Sequence, residues 1–423
     1  MKVDNGKLQS RRVVVTGIGV VSPIGVGVEA FRQGIRAGAS GVDLIRSFDP
    51  ESLPCQIAAE VKDFHGETYL DSKQRKRVAR AVPLGIAAAE EALRNARLDF
   101  RTFDLQEKRS WGVILGSGGG TPDFVESQYR LYFTDKVKRA SAYNISSSTI
   151  GTLSSELSLH FDFKGPSHVL STGCTSSTDA IGYAFNMIRF GLMDHLLTGG
   201  VDATITHAIM LGFSIMGAVS LSRNTEPRRA SRPFDRLRDG FVLGEGAWFL
   251  ALEEREQALI RGAPILAEVL GYASTCDAYH MVRLDPNGEE PARAMGLALR
   301  DAGVAKDEVG YIALHGTSTV INDQTETQAI KNCFGPRSYD IPMSSIKSMI
   351  GHPQGASGAA GVVASILALR DGFLPPTINY EEPDPECDLN YVPNHALERS
   401  IDVALCNCIG FGSKNSALIL RRP

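Results

Sequence analysis

No run of apolar residues in this 423-residue chain reaches the roughly 18 needed to cross a bilayer. Residues 1–10 are polar, and the apolar stretch at residues 13–21 reads as a first strand rather than the core of a signal segment. The chain also lacks any block of like charge. Its net charge is −4, which leaves no electrostatic footprint for nucleic acid. Two basic clusters, Lys73-Gln74-Arg75-Lys76-Arg77 and Arg228-Arg229 with Arg232, read as solvated surface. Seven cysteines, odd in number and irregularly spaced, do not make a disulfide framework, so a reducing, cytoplasmic setting is expected. Cys406-Asn407-Cys408 has no second ligand pair, and no metal site is expected. Two glycine pairs, Gly17-Ile18-Gly19 and Gly116-Ser117-Gly118, fall short of a dinucleotide fingerprint because Ser22 and Thr121 stand where a third glycine belongs. With no P-loop either, nucleotide chemistry is not expected.

Strand-like and helix-like segments do alternate throughout, which predicts an α/β layered architecture. Strands are expected at residues 12–17 and 111–115, and a helix at 81–98. Residues 131–165, polar and irregular with helical patches, read as an inserted cap or interface. A weak internal repeat is present: AAEEALRNARL at 88–98 and AMGLALRDAGV at 294–304 agree at five of eleven positions. Each copy precedes a strand that enters a loop of small residues. Two βαβ-rich halves related by duplication are expected, at 1–260 and 261–423, with functional groups at the C-terminal ends of strands.

The stretch Ser171-Thr172-Gly173-Cys174-Thr175-Ser176-Ser177 follows a short apolar run, residues 167–170, that reads as a buried strand. It precedes a helix-periodic segment. Cys174 is thereby placed on a tight turn at a helix N-terminus, where free N–H groups and the helix dipole favour thiolate. The bland alternative is an inert buried cysteine. Two further loops, Leu314-His315-Gly316-Thr317-Ser318-Thr319 and Ser345-Ile346-Lys347-Ser348-Met349-Ile350-Gly351-His352, each put a histidine after a predicted strand. One Cys with two His, and no obvious orienting Asp or Asn, suggests chemistry other than a thiol hydrolase.

At these residues the chain resembles the β-ketoacyl–acyl carrier protein synthases of the thiolase superfamily. The cysteine turn, HGTST, KSMIGH and the late Gly410-Phe411-Gly412 loop stand in that family's order and spacing. The resemblance implies a thiolase-like α-β-α-β-α fold and a decarboxylative Claisen condensation. Cys174 would carry the acyl chain, with the backbone N–H groups of Cys174 and Phe411 as oxyanion hole. His315 and His352 would act through Nε2, chiefly as hydrogen-bond donors to the malonyl thioester carbonyl, with Lys347 orienting the pair. Glu326 would organise the lysine and its loop, Asp323 being the weaker candidate. Thr317 and Thr319 would bind the phosphopantetheine arm, while Phe411 and Phe213 would line the pocket. No cofactor is bound in the enzyme by this resemblance; the phosphopantetheine arrives on acyl carrier protein, the implied partner.

Departures from the family pattern refine the expectation. Gly119 replaces a bulky aliphatic residue of the fatty-acid elongating members, which predicts open space in the acyl pocket. Lys414 replaces a small residue after the Gly410-Phe411-Gly412 loop. Asp179, the run Asn322-Asp323-x-x-Glu326-Thr327 and Pro383-Asp384-Pro385-Glu386-Cys387 lean toward the type II polyketide ketosynthases. Such chains pair with a homologous chain-length factor, so a homodimer and a heterodimer are both expected possibilities. The alternatives are fatty-acid elongation and, in another class, a non-catalytic chain-length-setting or scaffolding subunit that binds acyl carrier protein.

Overall fold

The computed structural model describes Val3–Asp4, Lys7–Leu8 and residues 10–423. Its first half runs β1 (Val13–Ser22), α1 (Ala81–Asn95), β2 (Trp111–Gly116), β3 (Ser167–Leu170), α2 (Ser176–Arg189), β4 (His195–Asp202) and β5 (Gly246–Glu254). The second half runs β6 (Ala267–Cys276), α3 (Glu289–Ala302), β7 (Tyr311–Ala313), α4 (Val320–Phe334), β8 (Met343–Ser344), α5 (Ser357–Asp371), β9 (Val403–Gly410) and β10 (Lys414–Arg421). These strands hydrogen-bond into one sheet ordered β3-β2-β4-β5-β1-β6-β10-β9-β7-β8, and a short Gly25–Val26 strand pairs with β1. Read outward from the centre, each half has the order first, fifth, fourth, second, third. In both, the fifth strand is antiparallel to its two neighbours and the outer three are parallel. The halves join where Val13, Val14 and Val15 of β1 pair antiparallel with Val269, Glu268 and Ala267 of β6.

The layers follow from which faces are apolar. Val13 and Val15 of β1 and Leu250 and Leu252 of β5 face the middle of the molecule, where α2 (Ala180, Ile181, Ala184) meets α5 (Ala359, Ala360, Val363). Each fully buried Val, Leu or Ile among them contributes about 1.5–3 kcal/mol. Phe249 and Ala251 of β5 face the other way, onto α1 (Ala88, Ala89, Ala92). In the second half α3 and α4 cover the outer face of β7, β9 and β10 through Met295, Leu299 and Ile330. The result is an α-β-α-β-α stack. Gly17 and Gly19, the pair rejected as a nucleotide motif, allow α1 to lie directly on β1. A Cβ at either would stand 2.0 or 1.9 Å from the carbonyl oxygen of Ala92 or Ala88.

Two local expectations are corrected. Strand β3 is not buried: it forms the edge of the sheet, with Ser167 and His168 exposed and Val169 and Leu170 half-buried. A four-residue apolar run cannot tell a central strand from an edge one. The helical patches of region 131–165 are the end of a Pro122–Phe133 helix and helices at Asn144–Ser148 and Thr152–Phe161. Arg232 is not a surface residue. It is fully buried, donating to Asp235 at 2.9 Å and Glu381 at 3.1 Å, which a count of basic residues cannot reveal. Among the described residues, no helix is long and apolar enough to cross a membrane.

Candidate active site

Each half presents the turn between its third strand and the following helix to the centre of the molecule. After β3 the chain makes a single 3-10 turn, Gly173–Thr175, with Gly173 in the left-handed region at φ 71°, and then enters α2. The turn holds Cys174 buried at the N-terminal end of that helix. After β8 comes the short helix Lys347–Ile350, then His352, then a second 3-10 turn into α5. His315 stands two residues past the end of β7.

These elements bring the three side chains together. His352 Nε2 stands 3.2 Å from Cys174 Sγ. The two imidazole centroids are 5.4 Å apart, with the rings nearly perpendicular at 85°. Donor atoms of Cys174, His315 and His352 all lie within 4.8 Å of one another, so a metal ion could also span the three. All three line the wall of a cavity of about 290 Å³. That wall is otherwise largely apolar, including Met216, Phe241, Leu284 and Ile321, and carries Thr317 and Thr319.

The shell around the triad is polar and buried. Lys347 Nζ donates to the His315 carbonyl at 2.6 Å and lies 3.4 Å from His315 Nδ1. An ammonium has donors only, so Nδ1 facing it is the unprotonated nitrogen, and the His315 proton sits on Nε2. Glu326 accepts from the backbone N–H groups of His315 and Gly316, each at 2.7 Å, and from the Asn407 side-chain amide at 2.7 Å. Asp323 accepts from the N–H groups of Thr317 at 3.1 Å and Phe234 at 2.8 Å and pairs with buried Arg238 at 3.2 Å. Both carboxylates therefore brace the loop that carries His315. The hydroxyls of Thr317 and Thr319 are 2.9 Å apart.

Burial governs the charges. It pushes the Cys174 thiol up to about 11, against the Lys347 ammonium and the backbone N–H groups of Phe411 and Cys174. The helix terminus favours thiolate, as these N–H groups and Lys347 do, but desolvation outweighs them and the sulfur needs a proton acceptor. Burial, then the Lys347 charge, holds both imidazoles well below their ordinary range, so both are neutral at neutral pH. Burial lowers Lys347 and raises the Glu326 carboxyl to about 7.

Other expected positions fall differently. Phe411 lines the cavity. Phe213 is not on the wall; it packs edge-on behind Phe241, whose own ring lies 5.3 Å from that of His352. Gly119 does not leave open space. A Cβ there would meet the Thr204 methyl group at 2.1 Å, and its N–H is taken up by Asp202. A glycine in a loop does not show what already fills its side-chain volume. Lys414 lies in β10, paired with Gly410 and Cys276, and is not on the cavity wall. Asp179 accepts from Thr172 at 2.6 Å, Thr175 at 2.9 Å and Tyr272 at 2.7 Å, bracing the cysteine turn from below.

Four residues of the site were not foreseen. Asp202 joins the glycine loop to the His352 loop through Gly118 N at 2.8 Å and Gly355 N at 2.7 Å. Asn407 holds Glu326. Cys408 places its thiol 3.2 Å from the Cys174 carbonyl and 3.4 Å from His315 Nδ1. Ser357 lies 2.9 Å from His352 Nδ1. Of these only Cys408 carried a signal in the sequence, its place just before the Gly410-Phe411-Gly412 loop.

Comparison with known proteins follows the same outline. Residues 10–258 match the family model "Beta-ketoacyl synthase, N-terminal domain" and residues 266–381 match "Beta-ketoacyl synthase, C-terminal domain". The "3-oxoacyl-[acyl-carrier-protein] synthase 2" of Synechocystis sp. is 41% identical over 415 residues, covering 98% of this chain and 99% of that protein. Among solved structures, AntDE:AntF is described as a type II PKS acyl-carrier protein in complex with its ketosynthase bound to the hexaketide. It superposes with a TM-score of 0.90 at 34% identity, over 98% of this chain and 100% of that one. The ishigamide ketosynthase/chain length factor gives 0.91 at 35% identity with the same coverage.

Proposed function

This chain belongs to the beta-ketoacyl synthase family, and from that premise we propose that it joins a Cys174-bound acyl chain to malonyl–acyl carrier protein in type II polyketide or polyene synthesis. The observation that carries the reading is the 3.2 Å contact between the Cys174 sulfur and His352 Nε2 at the wall of an apolar cavity, with His315 beside them.

In the loading step the sulfur bonds to the acyl carbonyl carbon and the carrier's thioester C–S bond breaks. The cysteine proton passes through His352 Nε2 to the departing sulfur. The backbone N–H groups of Cys174 and Phe411 hold the oxyanion; those groups already favour negative charge on the sulfur. In condensation the malonyl C–CO₂⁻ bond breaks and its electron pair moves into an enolate whose oxygen takes the His315 Nε2–H bond. The enolate carbon then bonds to the acyl carbon, and Cys174 leaves as thiolate and takes up a proton from water. Lys347 fixes the His315 tautomer, Glu326 holds its loop, and Thr317 and Thr319 receive the phosphopantetheine arm. The acyl chain lies against Phe411 and Phe241.

The two halves, 1–260 and 261–423, act as the carrier of the nucleophile and the carrier of both histidines, a division supported by the repeated strand order. Acyl carrier protein is the proposed partner, and a second ketosynthase-like chain, identical or homologous, the proposed subunit. The likeness to AntDE:AntF and the ishigamide ketosynthase supports the polyketide branch, as does Asp179 beneath the cysteine turn. The likeness to 3-oxoacyl-[acyl-carrier-protein] synthase 2 supports fatty-acid elongation as the second reading. Intact-protein mass after incubation with saturated, polyunsaturated and poly-β-keto acyl–carrier thioesters separates them. Preferential loading and extension of unsaturated or keto chains is expected; equal or faster turnover of medium-length saturated chains overturns the polyketide assignment. Condensation unchanged by Cys174→Ala overturns the catalytic one.

A further inference from the structure

The two histidines of the site are held by different chemistry at Nδ1. His315 faces the Lys347 ammonium there, 3.4 Å away. His352 faces no cation; its Nδ1 lies 2.9 Å from the hydroxyl of Ser357, the first residue of α5. That hydroxyl has a second neighbour, the carbonyl oxygen of Gln354, at 2.6 Å. A serine hydroxyl has one proton and two lone pairs, while a carbonyl oxygen can only accept. With the shorter contact made to the carbonyl, the hydroxyl proton is committed to Gln354. The oxygen then turns a lone pair toward His352, and only a protonated Nδ1 satisfies it. Ser357 and His352 are buried at the start of α5 and Gln354 is half-buried, so the Ser357–His352 contact is shielded from bulk water.

From this we infer that Ser357 is a positioning residue that fixes His352 with its proton on Nδ1, leaving Nε2 as the proton acceptor for Cys174. The site then holds its two imidazoles in opposite tautomers: His315 is a donor through Nε2–H, and His352 an acceptor through the Nε2 lone pair 3.2 Å from the sulfur. This division departs from the sequence-based expectation that both rings act chiefly as donors. It also meets a need the geometry creates, since the buried thiol is protonated at rest and must pass its proton to a neighbour. As that proton arrives on Nε2 the ring becomes an imidazolium, and the Nδ1–H bond to Ser357 strengthens with the added charge. Ser357 therefore lowers the free energy of the thiolate–imidazolium pair. The inference rests on the proposed function only for the name of the loading step; the tautomer and the thiol reactivity are properties of the unloaded protein.

The test uses the full chain labelled with ¹⁵N-histidine, and iodoacetamide as the thiol probe. Long-range ¹H–¹⁵N spectra, assigned with His352→Asn, are expected to show His352 protonated on Nδ1 and His315 on Nε2. Ser357→Ala is expected to slow Cys174 alkylation at neutral pH by about tenfold, the effect of losing one hydrogen bond, and to move its pH profile to the alkaline side. Ser357→Thr, which keeps the hydroxyl, is expected to restore both. A wild-type His352 protonated on Nε2 overturns the inference and needs no variant. So does a Ser357→Ala protein that melts at lower temperature yet keeps the wild-type alkylation profile, the signature of a purely structural hydroxyl. Neither readout uses an acyl thioester, so failure here is distinguishable from failure of the substrate assignment.

Discussion

Replacing Lys347 by methionine keeps most of the side-chain volume and removes one buried charge, which makes it a sharp test of how the site divides its labour. The ammonium lies 3.4 Å from His315 Nδ1. With an effective dielectric of about 20, two unit charges at that separation would interact by about 5 kcal/mol. Lys347 is second to burial in depressing both imidazoles, so Lys347→Met is expected to raise both toward 6.5, with His315 moving further. The same substitution removes the largest influence opposing burial at Cys174, so the thiol moves further up. In the loading step a less acidic thiol and a more basic His352 offset each other, and the rate is expected to change little. Condensation has no such compensation. Without the ammonium at Nδ1, the His315 proton is no longer confined to Nε2, and loss of one such donor typically costs about 10²–10³ in rate. Intact-protein mass follows loading, and CO₂ release from malonyl–carrier thioester follows the second step. Equal losses in both, or decarboxylation at the wild-type rate, would refute the assignment of His315 as the donor held by Lys347.

Three further outcomes are expected. Because the unfolded thiol ionises from 9.0 and the buried one only near 11, the stability Cys174 contributes is complete below 9.0 and lost as pH rises through 11. Two pH units correspond to about 2.7 kcal/mol, so Cys174→Ser should lose less stability than wild type between about pH 9 and 11 in urea unfolding. Gly119→Ile should destabilise the protein by about 1–3 kcal/mol through overpacking against Thr204, seen as a lower melting temperature, and not merely shorten the acyl chain accepted. Zinc should inhibit Cys174 alkylation through the three clustered donor atoms, and a chelator should restore it; alkylation indifferent to zinc would show that the three do not close on one ion.

What could be read from the sequence was what local chemistry determines. The β-branched run at 13–15 and the alanine-rich segment at 81–98 declared a strand and a helix; the structure begins them at Val13 and Ala81 and ends the helix at Asn95. Cys174, His315 and His352 were legible because each stands in a loop of small or hydroxylic residues after an apolar run. The edge position of β3, the burial of Arg232 and the filling of the space beside Gly119 by Thr204 depend on segments far apart in the chain. No local pattern encodes them. Ser357 was hidden for a related reason: five residues after His352, it reads as one more small residue in a helix start, and only the shape of the intervening turn brings its oxygen to Nδ1. Likewise the dipole argument at Cys174 was sound for an exposed helix end and was reversed by burial.

Where α2 crosses α5, Gly358 has no room for a methyl group, because Thr178 Oγ1 would stand 1.9 Å from it. Cys174 heads one of these helices and His352 lies just ahead of the other, so the thickness of that crossing acts as a caliper for the sulfur–nitrogen gap. A single added carbon at this remote point would pry the jaws apart and disarm the nucleophile without touching it. Two crossovers alike in strand order thus gauge each other across a single contact.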